Sequence, residues 1–428
     1  MKLKIFFLLI ILFLVIRGSL AENENINLSK LIQEALSVNP EIQASQKTWE
    51  ASRARAIQVG VLDDPMLGVE FEGVPTDTAD IGRYNDIEWS FSQSIPFPGK
   101  LSLKRKMAVE EARKAYLEYL EKEREIISKV TTAYIDFYLI YQTLKILDEN
   151  QELLNQFSKI AQKKYEVGKV SQQDVLKAQV ELAKIKNRIL TQKQAREVLQ
   201  AKINTLLGRS PLNPMGEPLP VENQPENLDF ESLVSITIQH RPELKHHESL
   251  VKSGQYGVRL AKRQYWPDFF ARFESRQFQG TGLEEYDVML GVSIPWLWTR
   301  SRAKSSLQEA KANLQAAQAA YEAKKNEIFF EIKNALVKVN TSQSLVHLYQ
   351  SDVLPVARQA VQISQINYQT DKIDFLTLLD SQRNLLEFQL DYEIAMADYH
   401  KNIAELERNI GMDLMAKKQE AEIQRGKD

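Results

Sequence analysis

Residues 101–167 read LSLKRKMAVEEARKAYLEYLEKEREIISKVTTAYIDFYLIYQTLKILDENQELLNQFSKIAQKKYEV, 67 positions without a Gly or a Pro. As one helix this stretch would be about 100 Å long, several times an ordinary globular helix. Lys169–Leu207 is again free of both breakers, and in the second half Trp296–Leu354 and Val356–Ile410 behave alike, interrupted only by Pro355. Apolar residues step by alternating fours and threes through Tyr392, Met396, Tyr399, Ile403, Leu406 and Ile410, and through Ala303, Leu307, Ala310, Leu314, Ala317 and Tyr321. Val175, Ala178, Leu182, Ile185 and Ile189 follow the same rule. That spacing keeps one seam on one helix face, as coiled coils require. Each long pair must fold back, and the turns fall at Val167-Gly168-Lys169-Val170 and Thr370-Asp371-Lys372-Ile373. Gly168 suits a helix end because it tolerates positive φ.

The chain is written twice. Asn39-Pro40-Glu41 recurs as Arg241-Pro242-Glu243 and Asp64-Pro65 as Trp266-Pro267, both 202 residues on. Ser94-Ile95-Pro96-Phe97 recurs as Ser293-Ile294-Pro295-Trp296 after 199. Tyr165, Leu176 and Gln179 match Tyr368, Leu379 and Gln382, and Leu207-Gly208 matches Ile410-Gly411, after 203. The expected organisation is a first repeat over 22–208 (strands about 65–73 and 86–95, helical hairpin about 101–207) and a second over 227–414 (strands about 268–277 and 286–295, hairpin about 300–410). A linker over 209–226, rich in proline, separates them, and a charged tail follows at 415–428. Each repeat reads as a short helix, two strands and two very long helices.

Four segments change period. Leu67, Val69 and Phe71 alternate with Gly68, Glu70 and Glu72, and Ile87, Trp89 and Phe91 with Glu88, Ser90 and Ser92. Phe269, Ala271 and Phe273 alternate with Phe270, Arg272 and Glu274, and Tyr286, Val288, Leu290, Val292 and Ile294 with Asp287, Met289, Gly291 and Ser293. Period two with one apolar face means strands of a length that crosses a bilayer at a tilt. Trp89, Trp266, Trp296 and Trp298 sit in or beside them, as membrane-interface aromatics would. The same pattern also fits a small soluble sheet packed on the helices. A bilayer tolerates no open sheet edge, and the smallest outer-membrane barrels have about eight strands, so four strands per chain would have to be pooled. Three chains would supply twelve; composition alone does not choose three over two or four.

The first 21 residues resemble a secretory signal peptide: Lys2 and Lys4, the apolar run Ile5–Ile16, then Ser19-Leu20-Ala21. Twelve apolar residues are too few for a spanning helix, which needs about 20. There is no cysteine, so neither a lipid-anchored cysteine, a disulfide nor a thiolate metal site is expected. A net charge of −2 gives no reason to expect nucleic acid as partner. His246-His247 are neighbours that do not share a helix face and have no accompanying ligand motif, so a packed or solvated pair is expected rather than a metal site. No nucleophile motif or phosphate-binding loop appears, and neither catalysis nor a cofactor is expected.

The duplicated order, Asn39-Pro40-Glu41, the Tyr165-x-x-Gly168…Asp174-Val175-Leu176-x-Ala178-Gln179 stretch and its counterpart Phe375–Gln382 together resemble the TolC-like outer-membrane efflux proteins over roughly residues 28–414. Ile95-Pro-Phe-Pro-Gly-Lys100 is similar to channels paired with heavy-metal or other cation exporters. The resemblance implies a mixed α and β fold, in which a homotrimer builds a twelve-stranded barrel in the outer membrane and a helical coiled-coil tunnel in the periplasm. It implies a passive exit duct without enzymatic activity, joined by a periplasmic adaptor to an inner-membrane pump. Asp380 and Asp174 match the family's acidic periplasmic gate, with Thr377 and Lys177 at the partner positions. Gly168, Lys169, Val170, Asp371, Lys372 and Ile373 match the tips where an adaptor docks. For Asp174 and Asp380 the helix dipole offers a plainer account, and for Gly168 turn chemistry does. Two other functions stay open: a duct for type I protein secretion, and a soluble periplasmic coiled-coil scaffold.

Overall fold

The computed structural model describes residues 25–76, 81–221, 229–278, 284–294, 296–412 and 414, with 297–299 described by their backbone alone. The expected signal peptide and tail, the linker's residues 222–226, Pro295 and the Trp298 side chain lie outside the described residues. Where one short helix was expected at the start of each repeat, two stand there. They are α1 (Leu28–Val38) with α2 (Pro40–Gln58), and α5 (Phe230–His240) with α6 (Pro242–Arg263). The breaks fall at Asn39 and Arg241, because a residue before proline is pushed out of the helical region; their ψ values are 123° and 117°. The remaining elements are β1 (Met66–Glu72), β2 (Asp86–Ile95), α3 (Lys100–Glu166), α4 (Gln172–Leu206), β3 (Asp268–Phe278), β4 (Glu284–Ser293), α7 (Leu297–Leu348), α8 (Leu354–Gln369) and α9 (Phe375–Ile410).

Two compact units form, and neither coincides with a repeat. One comprises the described residues up to Gln43, within Lys122–Arg241 and from Ile328 onward; the other comprises those within Ala44–Glu121 and Pro242–Glu327. Each unit draws on both repeats because α3 and α7 are long enough to contribute residues to both. In the first unit, a core cluster joins α3 (Leu147, Leu154, Phe157), α4 (Val175, Ala178, Ile185), α8 (Val361, Tyr368) and α9 (Phe375, Leu378, Leu386). The seam of α9 is buried at Tyr399, Ile403, Leu406 and Ile410. Residues at alternating three and four spacing thus exclude water together, each fully buried side chain contributing on the order of 1.5–3 kcal/mol.

Helix ends repeat as faithfully as the core. Gly168 (φ 72°) and Asp371 (φ 63°) are left-handed, and the next amides, Lys169 and Lys372, donate to Lys164 O and Asn367 O at 2.8 Å each. Gly208 and Gly411 close α4 and α9 in the same way. These are Schellman caps, which satisfy carbonyls that the last helical turn leaves unpaired. Before each of α2 and α6 a side chain reaches the end of the long helix preceding that cap: Asn39 Nδ2 donates to Leu206 O at 2.9 Å, and Arg241 Nη1 to Asn409 O at 3.0 Å. Asn39 Oδ1 also accepts from Glu41 N, capping α2. Pro355 does not end a helix. A π-helical turn at Tyr349–Val353 precedes it, with Leu354 N–H donating to Tyr349 O, so the extra residue absorbs the proline's missing donor.

In the second unit the four strands form one antiparallel sheet in the order β1-β2-β3-β4. Trp49 of α2 packs on Tyr116 and Tyr119 of α3, at 4.9 and 6.0 Å between ring centroids. Lys100, at the first turn of α3, bonds Asp268 Oδ1 at 2.8 Å and Trp266 O at 3.1 Å, and Phe97 stacks on Trp266 at 5.1 Å. The Pro-Phe-Pro-Gly-Lys turn therefore ties the strand–helix junction of the first repeat to the helix–strand junction of the second.

Candidate channel elements

The sheet gathers most of its apolar side chains on one face, with Gln93, Ser275 and Gln277 as polar exceptions. Leu67 lies opposite Phe91, Phe91 opposite Phe273, and Phe273 opposite Val288. Val69 pairs Trp89, Phe71 pairs Ile87, and Ala271 pairs Leu290. This apolar face is open: Leu67 is 79% exposed, Val288 73% and Leu290 80%. The other face carries Glu70, Glu88, Arg276 and Glu285 in one row and Ser90, Glu274 and Asp287 in the next. Arg276 bonds Glu88 at 2.9 Å, and Arg272 bonds Glu274 at 3.1 Å. On that face Phe270 lies over Gly291, where any Cβ would meet the ring at 2.0 Å. Trp266 and Trp296 flank the Asp268 and Ser293 ends of β3 and β4, while Trp89 lies on the apolar face towards the opposite end of β2; all three are exposed. A sheet with an open apolar face and a charged reverse inverts the pattern of a soluble sheet packed on helices.

At the hairpin tips, Gly168, Lys169, Asp371 and Lys372 are exposed, and Val170 and Ile373 are half-buried. Asp371 accepts from Lys164 and, at 3.0 Å, from Lys169, so the second tip is bound to the first. Both lysines hold its carboxyl below the usual range. Lys164 lies 4.5 Å from the Tyr368 ring centroid and also donates to Tyr368 O. Ile373 packs against the helical core.

The four candidate gate residues are not brought together into one cluster by any bond between them. Thr377 N and Oγ1 donate to Asp374 Oδ1 at 2.8 and 2.6 Å, so Thr377 serves the N-cap of α9. Asp174 stands in the first turn of α4; burial pushes its carboxyl up, aided by Asp374 and opposed by Lys177. Asp380 is exposed and pairs with Arg383 at 3.1 Å. Arg383 also reaches Glu181 of α4 at 2.5 Å. Burial would raise the Glu181 carboxyl, but Arg383 and Lys184 outweigh it and hold it low.

Sequence reasoning passed over Lys164, Glu181, Arg383 and the buried amides Asn150 and Gln382. Gln382 donates to Asn150 Oδ1, and Asn150 Nδ2 donates to Gln389 Oε1 at 3.1 Å. A signal existed for Asn150: it lies on the seam between Leu147 and Leu154, and a polar residue in such a seam fixes register. His246 Nε2 lies 3.2 Å from Glu118 Oε1, and its ring meets His247 edge-on at 5.1 Å. Among the described residues no group of three or more His, Asp or Glu could hold a metal ion. No described helix is long and apolar enough to cross a membrane.

A sheet with an open apolar face and a polar reverse, followed along the sequence of each repeat by very long helices, is the plan of an outer-membrane channel subunit. The chain belongs to the outer membrane efflux protein family, whose sequence model matches residues 31–209 and again 233–412. It is similar to the cobalt-zinc-cadmium resistance protein CzcC of Cupriavidus metallidurans, 22% identical over 392 residues that cover 90% of each chain. It is 22% identical over 387 residues to a probable efflux pump outer membrane protein, TtgC, of Pseudomonas putida, covering 85% of this chain and 78% of that one. Solved structures share the fold. CusC superposes with a TM-score of 0.79 at 16% identity over 91% of this chain and 93% of its own. The Vibrio cholerae outer membrane protein VceC gives 0.78 at 18%, over 90% and 96%. The duplicated strand–helix plan is that of this family, and the chain is an efflux duct of the outer membrane.

Proposed function

We propose that three copies pool their four-stranded sheets into a twelve-stranded barrel, and that their helical hairpins line a tunnel in the periplasm. A periplasmic adaptor docks at the two tips and an inner-membrane pump supplies the energy. The observation that carries this reading is the exposed, mostly apolar face of a sheet whose two edge strands, β1 and β4, have no strand partner among the described residues. Lipid covers such a face, and only closure with other copies removes such edges. Trp266 and Trp296 at one strand end and Trp89 nearer the other stand where membrane interfaces favour aromatics. Exposed apolar residues on one side of α4 (Leu176, Val180, Leu190, Val198) and of α7 (Phe330, Val337, Leu345, Leu348) support helix contacts between copies. The cargo is a metal cation. The likeness to CzcC supports this, as does the surplus of carboxylates on the sheet's polar face.

The test is conductance in planar bilayers, with the mass of the unheated complex measured in parallel. Trimers carrying cation-selective currents are expected, together with loss of resistance to cobalt, zinc or cadmium when the gene is deleted. A water-soluble monomer without current would overturn the channel reading. Intact resistance in the deletion strain would overturn the cargo.

A further inference from the structure

The internal repeat specifies how one copy joins the next. β2 and β3 already form the seam between the two repeats: Gln93 lies opposite Ala271, Ser94 opposite Phe270, and Ile95 opposite Phe269. Ser94-Ile95 recurs as Ser293-Ile294, and Trp266-Pro267 corresponds to Asp64-Pro65, so β4 is the counterpart of β2 and β1 that of β3. The start of β1 at Met66 and of β3 at Asp268 keeps the same spacing as those prolines. Resting on the barrel reading above, we propose that β4 of one copy pairs antiparallel with β1 of the next in the register of the internal seam. Val292 then lies opposite Val69, Leu290 opposite Phe71, Gly291 opposite Glu70, and Ile294 opposite Leu67.

Two independent features agree with this register. The first is face matching. Side chains alternate with period two, so a slip of one residue would set the apolar row of β4 against the polar row of β1. The register carried over from the repeat sets Val, Leu and Ile against Val, Phe and Leu. The second is closure. Within the chain, the ladder runs from Met66 through Ser92 and Arg272 to Met289. In the proposed register, Met289 meets Glu72 of the next copy, six positions beyond Met66. Three copies accumulate a stagger of about 18 residues around twelve strands, which at ~3.4 Å per residue and ~4.8 Å between strands tilts them by about 45°. That is the tilt of strands that span a bilayer. A slip of two residues keeps the faces matched but changes the tilt to roughly 35° or 55°.

The chain has no cysteine, so paired cysteines report the register against a clean background. Val69→Cys with Val292→Cys, and separately Phe71→Cys with Leu290→Cys, are oxidised in isolated outer membranes and run on denaturing, non-reducing gels. Both pairs should give covalent trimers. The slipped pairs, Phe71→Cys with Val292→Cys and Val69→Cys with Leu290→Cys, should give about tenfold less, because diagonal neighbours lie beyond disulfide reach. Bilayer conductance of each variant before oxidation serves as the folding control. Conducting trimers that cross-link only at a slipped pair, or at none, overturn the register and leave the barrel standing. Soluble monomers for every variant and for the parent overturn both.

Discussion

Gly168 and Asp371 occupy the same place in the two repeats, and both hold left-handed backbone, at φ 72° and 63°. The first repeat uses the residue that adopts this conformation freely. The second uses an aspartate, whose carboxylate bonds Lys164 and Lys169 of the opposite tip. A turn residue has thereby become a tie between hairpins.

Substitutions at Asp371 should separate the two roles. Asp371→Gly suits the turn and loses the tie, whereas Asp371→Ala suits neither, so Ala should lower the unfolding midpoint more than Gly. Because the folded carboxyl titrates below its ordinary value, the tie is fully present above about pH 4 and is lost as pH falls through the lower folded value. Urea titrations of the wild type and Asp371→Gly should converge in acid; a constant gap across pH would count against the tie.

Asn39 and Arg241 pin the ends of α4 and α9. Asn39→Ala should cost about 1 kcal/mol through loss of the cap. Arg241→Ala should cost more, about 2 kcal/mol, because Glu331, paired with Arg241 at 2.7 Å, is left without that charge. Chemical unfolding of detergent-solubilised protein ranks them, and the reverse order would refute the assignment.

Arg383 binds a nearly buried Glu181. Arg383→Met should destabilise by roughly 1–3 kcal/mol, and Glu181→Gln in that background should recover part of the loss. The pair's contribution is present above about pH 4.5 and falls away in acid, since Arg383 and Lys184 hold the Glu181 carboxyl low. A double mutant no more stable than Arg383→Met would exclude this coupling.

If Asp380 rings the axis of the proposed trimer, Asp380→Ala removes three carboxylates there and should raise single-channel conductance or lower the opening voltage. Its pairing with Arg383 moderates the effect, so Arg383→Ala should shift cation selectivity the other way, towards stronger preference. Unchanged currents in both variants would remove Asp380 from the gate.

Val170→Trp should abolish efflux while leaving the trimer intact on unheated gels, if the tip is the adaptor's seat. Normal efflux from this variant would move the docking surface elsewhere.

The long helices, their seams and the alternating strands were legible because each is a local periodicity. Ala303 and Val175 are buried where their spacing places them. Two details are set by prolines, and only the first departs from the sequence reading. The single opening helix proved to be a pair, since Asn39 and Arg241 precede prolines. Pro355 lies inside a continuous helical path because a π turn before it absorbs the defect. Around the gate candidates, the local bonds were not legible in the sequence. Thr377 is engaged in capping α9, and the residues linking α4 to α9, Glu181 and Arg383, belong to no motif.

The duplication, the long helices and the apolar face of each strand follow from spacing along one chain and could be read there. Folding alone sets the mixing of both repeats in each compact unit, the meeting of Lys164 with Asp371, and the register of β2 on β3. The last two join positions about 170–210 residues apart, and no local period reports them. They arise from burial and hydrogen-bond satisfaction among segments that the chain's own periodicity had already shaped.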